Sequence, residues 1–433
     1  MSAILTDAEL SEEFCSVCEK VHAEQGCRSV DDVSLDMVRG ERERWSISEN
    51  YWVERCRFED LTALDREEWS ALAGSSYSAN VFMQPWFFLP AYKQFGRDQS
   101  VECVLIYQRG KTAADASVLC GLFPIVHQRR YRGFWTESIS LWTHRFCYLN
   151  TPLIRRSHGV ACVSGFFDWV RANYPKVGIV EFEDVSAEGG FHHALVKVLY
   201  DRSMMSFITQ EYNRAQLRVE GGVEEYMGEV LSKHHGREMK RQRRRLTEQG
   251  VSELKKLGRG DSVEAWIAAF LELESQGWKG EQGTAMAQDQ AQLAFFCEVI
   301  RAGHSLGHVE LMGLFDGDHA VALKCNLKCG KGAYGFKIAY DEAYRKFSPG
   351  VQLELDTIKD LFATQSVDWI DSCACVNHPM IDRLWKERRG VQKIAIAMPK
   401  TSGQLAIGAM QAVRWVRRWR NRTTKWEAME ANF

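Results

Sequence analysis

From about residue 50 the chain switches repeatedly between two-residue and 3.6-residue apolar periods, the signature of mixed α/β structure. Strands are expected at 101–108, 117–127 and 178–183. The aromatic segment Ser78–Trp86 reads as the entry to a helix that runs through Phe87 and Tyr92. A second helix is expected over 158–173, where Val160, Val163, Phe167 and Val170 recur at helical spacing. A second series starts near residue 220. Val223–Gly250 reads as one long helix ended by its glycine, and 251–257 reads as strand. Asp261-Ser262-Val263-Glu264 has capping-box spacing ahead of a helix presenting Val263, Ile267, Phe270 and Leu271. Strands over 307–315 and 319–327 flank Asp316-Gly317-Asp318, a strong hairpin signal, and a turn at Cys329-Gly330-Lys331-Gly332 leads to a third strand, 333–339. Ser348-Pro349-Gly350 then opens a helix to about residue 364, and 367–373 reads as strand.

The two series rhyme. Each has strands, a loop ending in Thr-Pro or Ser-Pro, a helix and a following strand, so that Pro152 and Pro349 take equivalent places. The predicted fold class is α/β with mixed sheets, as two tandem units of one fold over 46–218 and 219–400. An acidic helical leader is expected over 1–45 and a basic, Trp-rich tail helix over 401–433. The 433 residues accommodate such a plan at ~150 residues per domain.

Composition narrows the class. Hydrophobic residues make up 45% and charged residues 26%, the balance of a soluble globular protein. No stretch approaches the ~18 to 20 apolar residues that span a bilayer. The first 25 residues are acidic and lack an apolar block, which argues against a secretory signal. The 13 cysteines are scattered and odd in number, so they read as buried thiols in a reducing cytosol. Cys15-Ser16-Val17-Cys18, with His22 and Cys27 nearby, reads as free thiols rather than a zinc site, and no metal is expected.

Net charge is −2 but unevenly placed. Residues 233–245 hold seven Lys/Arg and one Glu, on a predicted helix whose Arg237 and Arg241 share a face. That face suits a phosphorylated donor, RNA or an anionic lipid, or is simply solvated; nothing aromatic interleaves with it, which disfavours single-stranded nucleic acid. In the tail, Trp415, Trp419 and Trp426 fall on one helical side among Arg414, Arg417, Arg418, Arg420 and Arg422. This pattern fits peripheral contact with an anionic membrane or a Trp face packed on the domain.

The densest chemistry lies at Tyr340–Val351. Ser348 suits an N-cap and Pro349 the first helical position. Gly350 and Val351 then offer backbone N–H groups at a positive helix end, with Arg345 and Lys346 beside them. Such a group can hold a pyrophosphate; a plain capped helix with a surface basic pair is the alternative. Trp278-Lys279-Gly280 either lines an acceptor pocket or closes the core beside a helix end.

The order Glu274-Ser275-Gln276-Gly277-Trp278-Lys279-Gly280, hairpin strands, Tyr340-Asp341, Ser348-Pro349-Gly350, Asn377-His378-Pro379-Met380 and Leu384-Trp385 resembles the CelD-like acyltransferases of the Gcn5-related N-acetyltransferase (GNAT) superfamily, which are similar to the Fem-type peptidyltransferases. The resemblance covers roughly 50–400. It implies two GNAT-like units, acyl-CoA (acetyl-CoA) as co-substrate, a small amine or amino-sugar acceptor, and a cytoplasmic place in bacterial exopolysaccharide or cell-envelope synthesis. The usual Gln/Arg-x-x-Gly-x-Gly/Ala phosphate loop is absent, and Arg345–Gly350 stands in its place. Likeness to the Fem-type enzymes implies aminoacyl-tRNA as the alternative donor, and an inactive binding subunit of a polysaccharide synthase is a third reading. Acyl transfer to an amine needs a base and an acid. Asp341 and Tyr344 beside the presumed cofactor loop, Tyr340, Glu310 and Lys337 are the candidates; for each the alternative is a plain solvent-facing residue.

Overall fold

The computed structural model describes residues 42–110, 116–258 and 260–430; the side chains of Trp278, Lys279 and residues 417–430 lie outside the description. The cysteine pair Cys15/Cys18 and most of the expected leader therefore fall outside it. The last leader positions are not helical: Arg44–Ser46 forms strand β1, antiparallel to β2 (Tyr51–Arg57).

The chain folds into two compact units. Arg39–Met83, Asp98–Tyr212 and Gly390–Phe433 form one; Gln84–Arg97 and Asn213–Arg389 form the other. In chain order, α1 (Ala63–Ser75) follows β2, and its Thr62 N-cap and Asp65 make a reciprocal capping box. Helix α2 (Pro85–Phe95) belongs to the second unit. Then come β3 (Glu102–Gln108), β4 (Val118–Gln128), β5 (Glu137–Leu141), β6 (Leu153–Ile154), α3 (Gly159–Asn173), β7 (Val177–Ser186) and α4 (Gly189–Asp201). The chain passes to the second unit within β8 (Ser206–Arg218).

The second unit continues with α5 (Val223–Val230) and α6 (Lys233–Glu248). The single helix expected over Val223–Gly250 is thus two. Leu231 is extended, and the Ser232 hydroxyl accepts from the His235 N–H to start a new helix, the role in which serine competes best with helix continuation. The expected strand 251–257 shrinks to β9 (Lys255–Lys256). Helices α7 (Val263–Gln276), α8 (Trp278–Glu281) and α9 (Gln290–Ser305) precede β10 (Val309–Asp316), β11 (His319–Cys329) and β12 (Gly332–Tyr340). These three strands are antiparallel neighbours, as their turn residues predict. Gly317 and Gly330, at φ 61° and 58°, supply the left-handed turn positions. Helix α10 (Pro349–Thr364), β13 (Trp369–Asp371), α11 (Ile381–Leu384), β14 (Glu387–Ala397) and α12 (Thr401–Glu430) complete the chain.

Each unit repeats one plan. Antiparallel strands lead to a strand–helix–strand crossover: β5–α3–β7 in the first unit and β12–α10–β13 in the second, with the crossover strands parallel. A further antiparallel strand closes each set, β14 against β7 and β8 against β13. The expected equivalence of Pro152 and Pro349 fails in detail. Pro349 occupies the first turn of α10, whereas Pro152 precedes β6 and α3 starts at Gly159. The first core gathers Val104, Phe123, Phe166, Phe167, Val180 and Phe182; the second unit buries Leu217, Ile358, Leu361, Ile370 and Trp385 in one cluster and Met312, Leu314, Val321 and Leu353 in another.

Candidate active-site cleft

The second unit contains a cleft of about 640 Å³. Its wall is the C-terminal half of β12, from Gly335 to Tyr340, and its end is the first turn of α10. The shape follows from two features of strand pairing. Opposite Cys325 and Asn326 the register slips, and Phe336 is the extra residue on β12, a bulge that bends the strand. On the other edge β13 pairs with β12 only at Gly332, Ala333 and Tyr334, then ends. Beyond Gly335 no strand among the described residues covers that edge of β12, so the two parallel strands part and the cleft opens between them. Gly335 sits close to the carbonyls of Asp371 and Ser372, at the point of parting.

The end of β13 is anchored by a buried charge cluster. Asp371 accepts from Arg214 at 2.7 Å and from Arg389 at 3.0 Å. Burial favours the neutral acid, but the two guanidiniums outweigh it and hold the Asp371 carboxyl below the usual carboxylate range. Asp371 also accepts from the Cys373 N–H at 3.0 Å, and Cys373 turns the chain at φ 53° so that 372–374 line the cleft.

The cleft floor carries a second buried pair. Lys324 on β11 donates to Glu354 on α10 at 2.5 Å, and the Trp385 indole N–H donates to the other carboxylate oxygen at 3.0 Å. The Lys324 and Glu354 side chains are 4% and 1% exposed. Also lining the cleft are Glu274, a buried carboxylate accepting from the Met286 N–H at 2.9 Å, and His378, whose Nδ1 accepts from the Met380 and Ile381 N–H groups at 3.4 and 3.3 Å. That acceptor role leaves the proton of a neutral His378 ring on Nε2.

Of the residues expected from sequence, Lys337, Tyr340, Arg345, Ser348, Gly350 and Val351 line the cleft together. Burial, reinforced by Glu342, pushes the Tyr340 phenol above its ordinary value and keeps it protonated. Gly350 packs against Tyr340, where an added Cβ would stand 3.3 Å from the ring. Ser348 corrects its expected role: it is left-handed, at φ 55°, and its side chain makes no cap hydrogen bond. The preceding tight 3₁₀ turn, Glu342–Phe347, forces this geometry, and the Ser348 carbonyl instead accepts the first helical bond from Gln352.

The other expected residues lie elsewhere. Lys346 sets its ammonium over Phe347, 4.9 Å from the ring centroid, and is not among the cleft residues. Asp341 caps the 3₁₀ turn through the Ala343 N–H and meets His319 Nε2 at 2.7 Å. Tyr344 donates to Asp316 at 2.9 Å. Glu310 faces Lys256 at 3.4 Å. These three serve the hairpin and its neighbours. Trp278 and Lys279 are on α8, their side chains outside the description. The sequence reading missed Lys324, Glu354 and Glu274 as site residues. A lysine within the apolar run of β11 and a glutamate on the apolar side of α10 were the available signals.

Among the described residues no group of His, Cys, Asp and Glu is placed to hold a metal, and no helix is long and apolar enough to cross a membrane.

Residues 233–377 match the family model of the acetyltransferase (GNAT) domain. The comparison with curated proteins returns no match. Among solved structures, the fold is similar to the crystal structure of FemX, with a TM-score of 0.52 at 10% identity, covering 82% of this chain and all of that one. A conserved protein of unknown function from Bacteroides thetaiotaomicron has a TM-score of 0.48 at 10% identity, covering 78% of this chain and 98% of its own. A tandem GNAT protein from the clavulanic acid biosynthesis pathway has a TM-score of 0.40 at 13% identity, covering 80% and 99%. The match to the acetyltransferase (GNAT) domain model thus lies wholly within the second unit, and the fold as a whole is mixed α/β and similar to that of FemX.

Proposed function

We propose that this protein is an acyl-CoA-dependent N-acyltransferase, with acetyl-CoA its simplest donor and an amine such as an amino sugar its acceptor, working in bacterial exopolysaccharide or cell-envelope synthesis. The observation that carries the reading is the convergence, in one cleft, of a strand edge left uncovered beyond Gly335 and the N-terminus of α10. A pantetheine arm is a chain of amides that can extend such an edge. A pyrophosphate suits the positive helix end at Gly350 and Val351, with Arg345 alongside.

In this reading the acceptor nitrogen attacks the thioester carbon, the N–C bond forms and the C–S bond breaks. The amine proton passes to Glu274, the buried carboxylate of the cleft. Tyr340, held protonated, gives its proton to the departing thiolate. Lys324 and Glu354 neutralise one another beneath the site and keep α10 against β11.

A second reading, with aminoacyl-tRNA as donor, draws support from α6. Lys233, Arg237 and Lys240 are exposed at helical spacing on it, and Gln352 in the first turn of α10 donates to the Met239 carbonyl at 3.1 Å, which ties α6 to the cleft end. Calorimetry with acetyl-CoA, longer acyl-CoAs, free CoA and tRNA, paired with a thiol-release assay on an amino sugar, separates the readings. Thioester binding with thiol release supports the first, and tRNA binding alone replaces it with the second. Binding of neither overturns both and leaves a catalytically inactive binding subunit.

A further inference from the structure

Helix α12 is apolar on two opposite faces. Its inner face, Ala406 and Ile407 with Met410, packs on Tyr131, Ile179, Ala395 and Ala397 of the first unit. Gly403 allows the closest approach, since an added Cβ would stand 2.0 Å from the Gly178 carbonyl oxygen. Farther along, Arg414 donates to the Ile208 carbonyl at 2.8 Å and lies over Phe207. The helix is thereby fixed along its first four turns. Its opposite face nevertheless presents Leu405, Trp415 and Val416 to solvent, with Leu405 68% and Trp415 67% exposed.

A second element of the same unit, which sequence reading passed over, stands beside it. The turn Tyr131–Phe134 closes through reciprocal backbone bonds, with Arg132 and Gly133 at φ 47° and 86°. Tyr131 is pinned inward by donating to Glu181 at 2.8 Å. The next residue, Trp135, is 83% exposed and carries the Arg130 guanidinium over its ring at 3.9 Å. Thr136 then meets Ser402 at 3.1 Å, one turn from Leu405. A rigid turn and a docked helix thus both hold tryptophan in water beside arginine.

We infer that these two elements form a docking surface for an anionic lipid bilayer. Charge decides the occupant. Residues 401–426 contain six Lys/Arg and no acidic residue, and beside Trp135 the exposed Arg129 and Arg130 add to them, whereas Arg132 is paired with Glu181 at 2.7 Å. A second copy would set like charge against like charge, whereas an anionic bilayer supplies the complement. The apolar groups form a thin line along a helix, suited to shallow insertion at the headgroup level, where indole rings are favoured. The surface lies in the first unit and does not depend on the acyl-transfer reading.

The test is co-sedimentation of the full chain with vesicles of phosphatidylcholine alone or with a quarter phosphatidylglycerol. Binding is expected on the anionic vesicles and should weaken as salt rises. Trp135→Ala with Trp415→Ala should weaken it by about tenfold or more. Arg129→Ser with Arg130→Ser, both exposed and outside the core, should weaken it by about 25-fold, at roughly fivefold per cation. Circular dichroism should match the unsubstituted protein in both. Equal binding to neutral and anionic vesicles, or variants that sediment like the parent, would overturn the inference. So would concentration-dependent self-association without vesicles that the tryptophan pair abolishes, since the face would then belong to a second copy.

Discussion

Replacing Lys324 by Met tests whether the ion pair on the cleft floor is coupled as its geometry implies. At 2.5 Å the gross attraction is about 7 kcal/mol for an effective dielectric of ~20. Desolvating two groups that are 4% and 1% exposed costs several kcal/mol each, so the net value of the intact pair is small. The asymmetry lies in breaking it. Met fills the lysine's volume but leaves the Glu354 carboxylate buried with, among the described residues, the Trp385 indole N–H as its donor. The expected loss is about 3–5 kcal/mol. Adding Glu354→Gln removes the stranded charge and keeps an acceptor for Trp385, so the double variant should recover at least about 2 kcal/mol. Because the chain has two units, global unfolding is a poor gauge; native-state hydrogen exchange of peptides covering 319–340 reads the second unit directly. A Lys324→Met loss below about 1 kcal/mol, or strictly additive single and double variants, would refute the coupling.

Asp371→Asn should destabilise the second unit by about 3–5 kcal/mol by stranding the buried Arg214 and Arg389. Because the folded Asp371 pKa is depressed, its stabilisation is present above the unfolded value and is lost as pH falls, so acid destabilisation below about pH 5 should flatten in Asp371→Asn, measured by exchange or denaturant midpoints. Gly350→Glu, whose Cβ already touches Tyr340, must send its carboxylate into the cleft mouth; calorimetry should show acetyl-CoA binding lost with an unchanged circular-dichroism spectrum, and normal binding would remove the phosphate assignment. Among the described cysteines Cys375 alone is exposed, so a thiol reagent on the native protein should modify it ahead of the buried cysteines between Cys56 and Cys329, which react only on unfolding.

What the sequence determined by itself was local. The hairpin β10–β11–β12 was legible because Gly317 and Gly330 occupy positions that only turns require, between runs of period two. Helix α10 was legible because proline at its first turn is a signal carried by covalent geometry. The helix end at Gly350 and Val351, and with it half of the candidate site, could be located for the same reason. Tertiary structure decided the rest. Whether Ser348 caps depends on the 3₁₀ turn before it, which sets its φ, and residue type alone does not encode that. Asp341, Tyr344 and Glu310 stand near the cleft residues in sequence yet are drawn to His319, Asp316 and Lys256, partners chosen by sheet register. Lys324 meets Glu354 only because β11 and α10 pack face to face, and Asp371 meets Arg214 and Arg389 only because three strands from distant parts of the chain lie side by side. The cleft itself is made by the ending of β13 at Asp371, a matter of which strand stops first. A pattern along one strand fixes which face is buried, whereas the place where two strands part depends on both strands and on the charges that hold their ends.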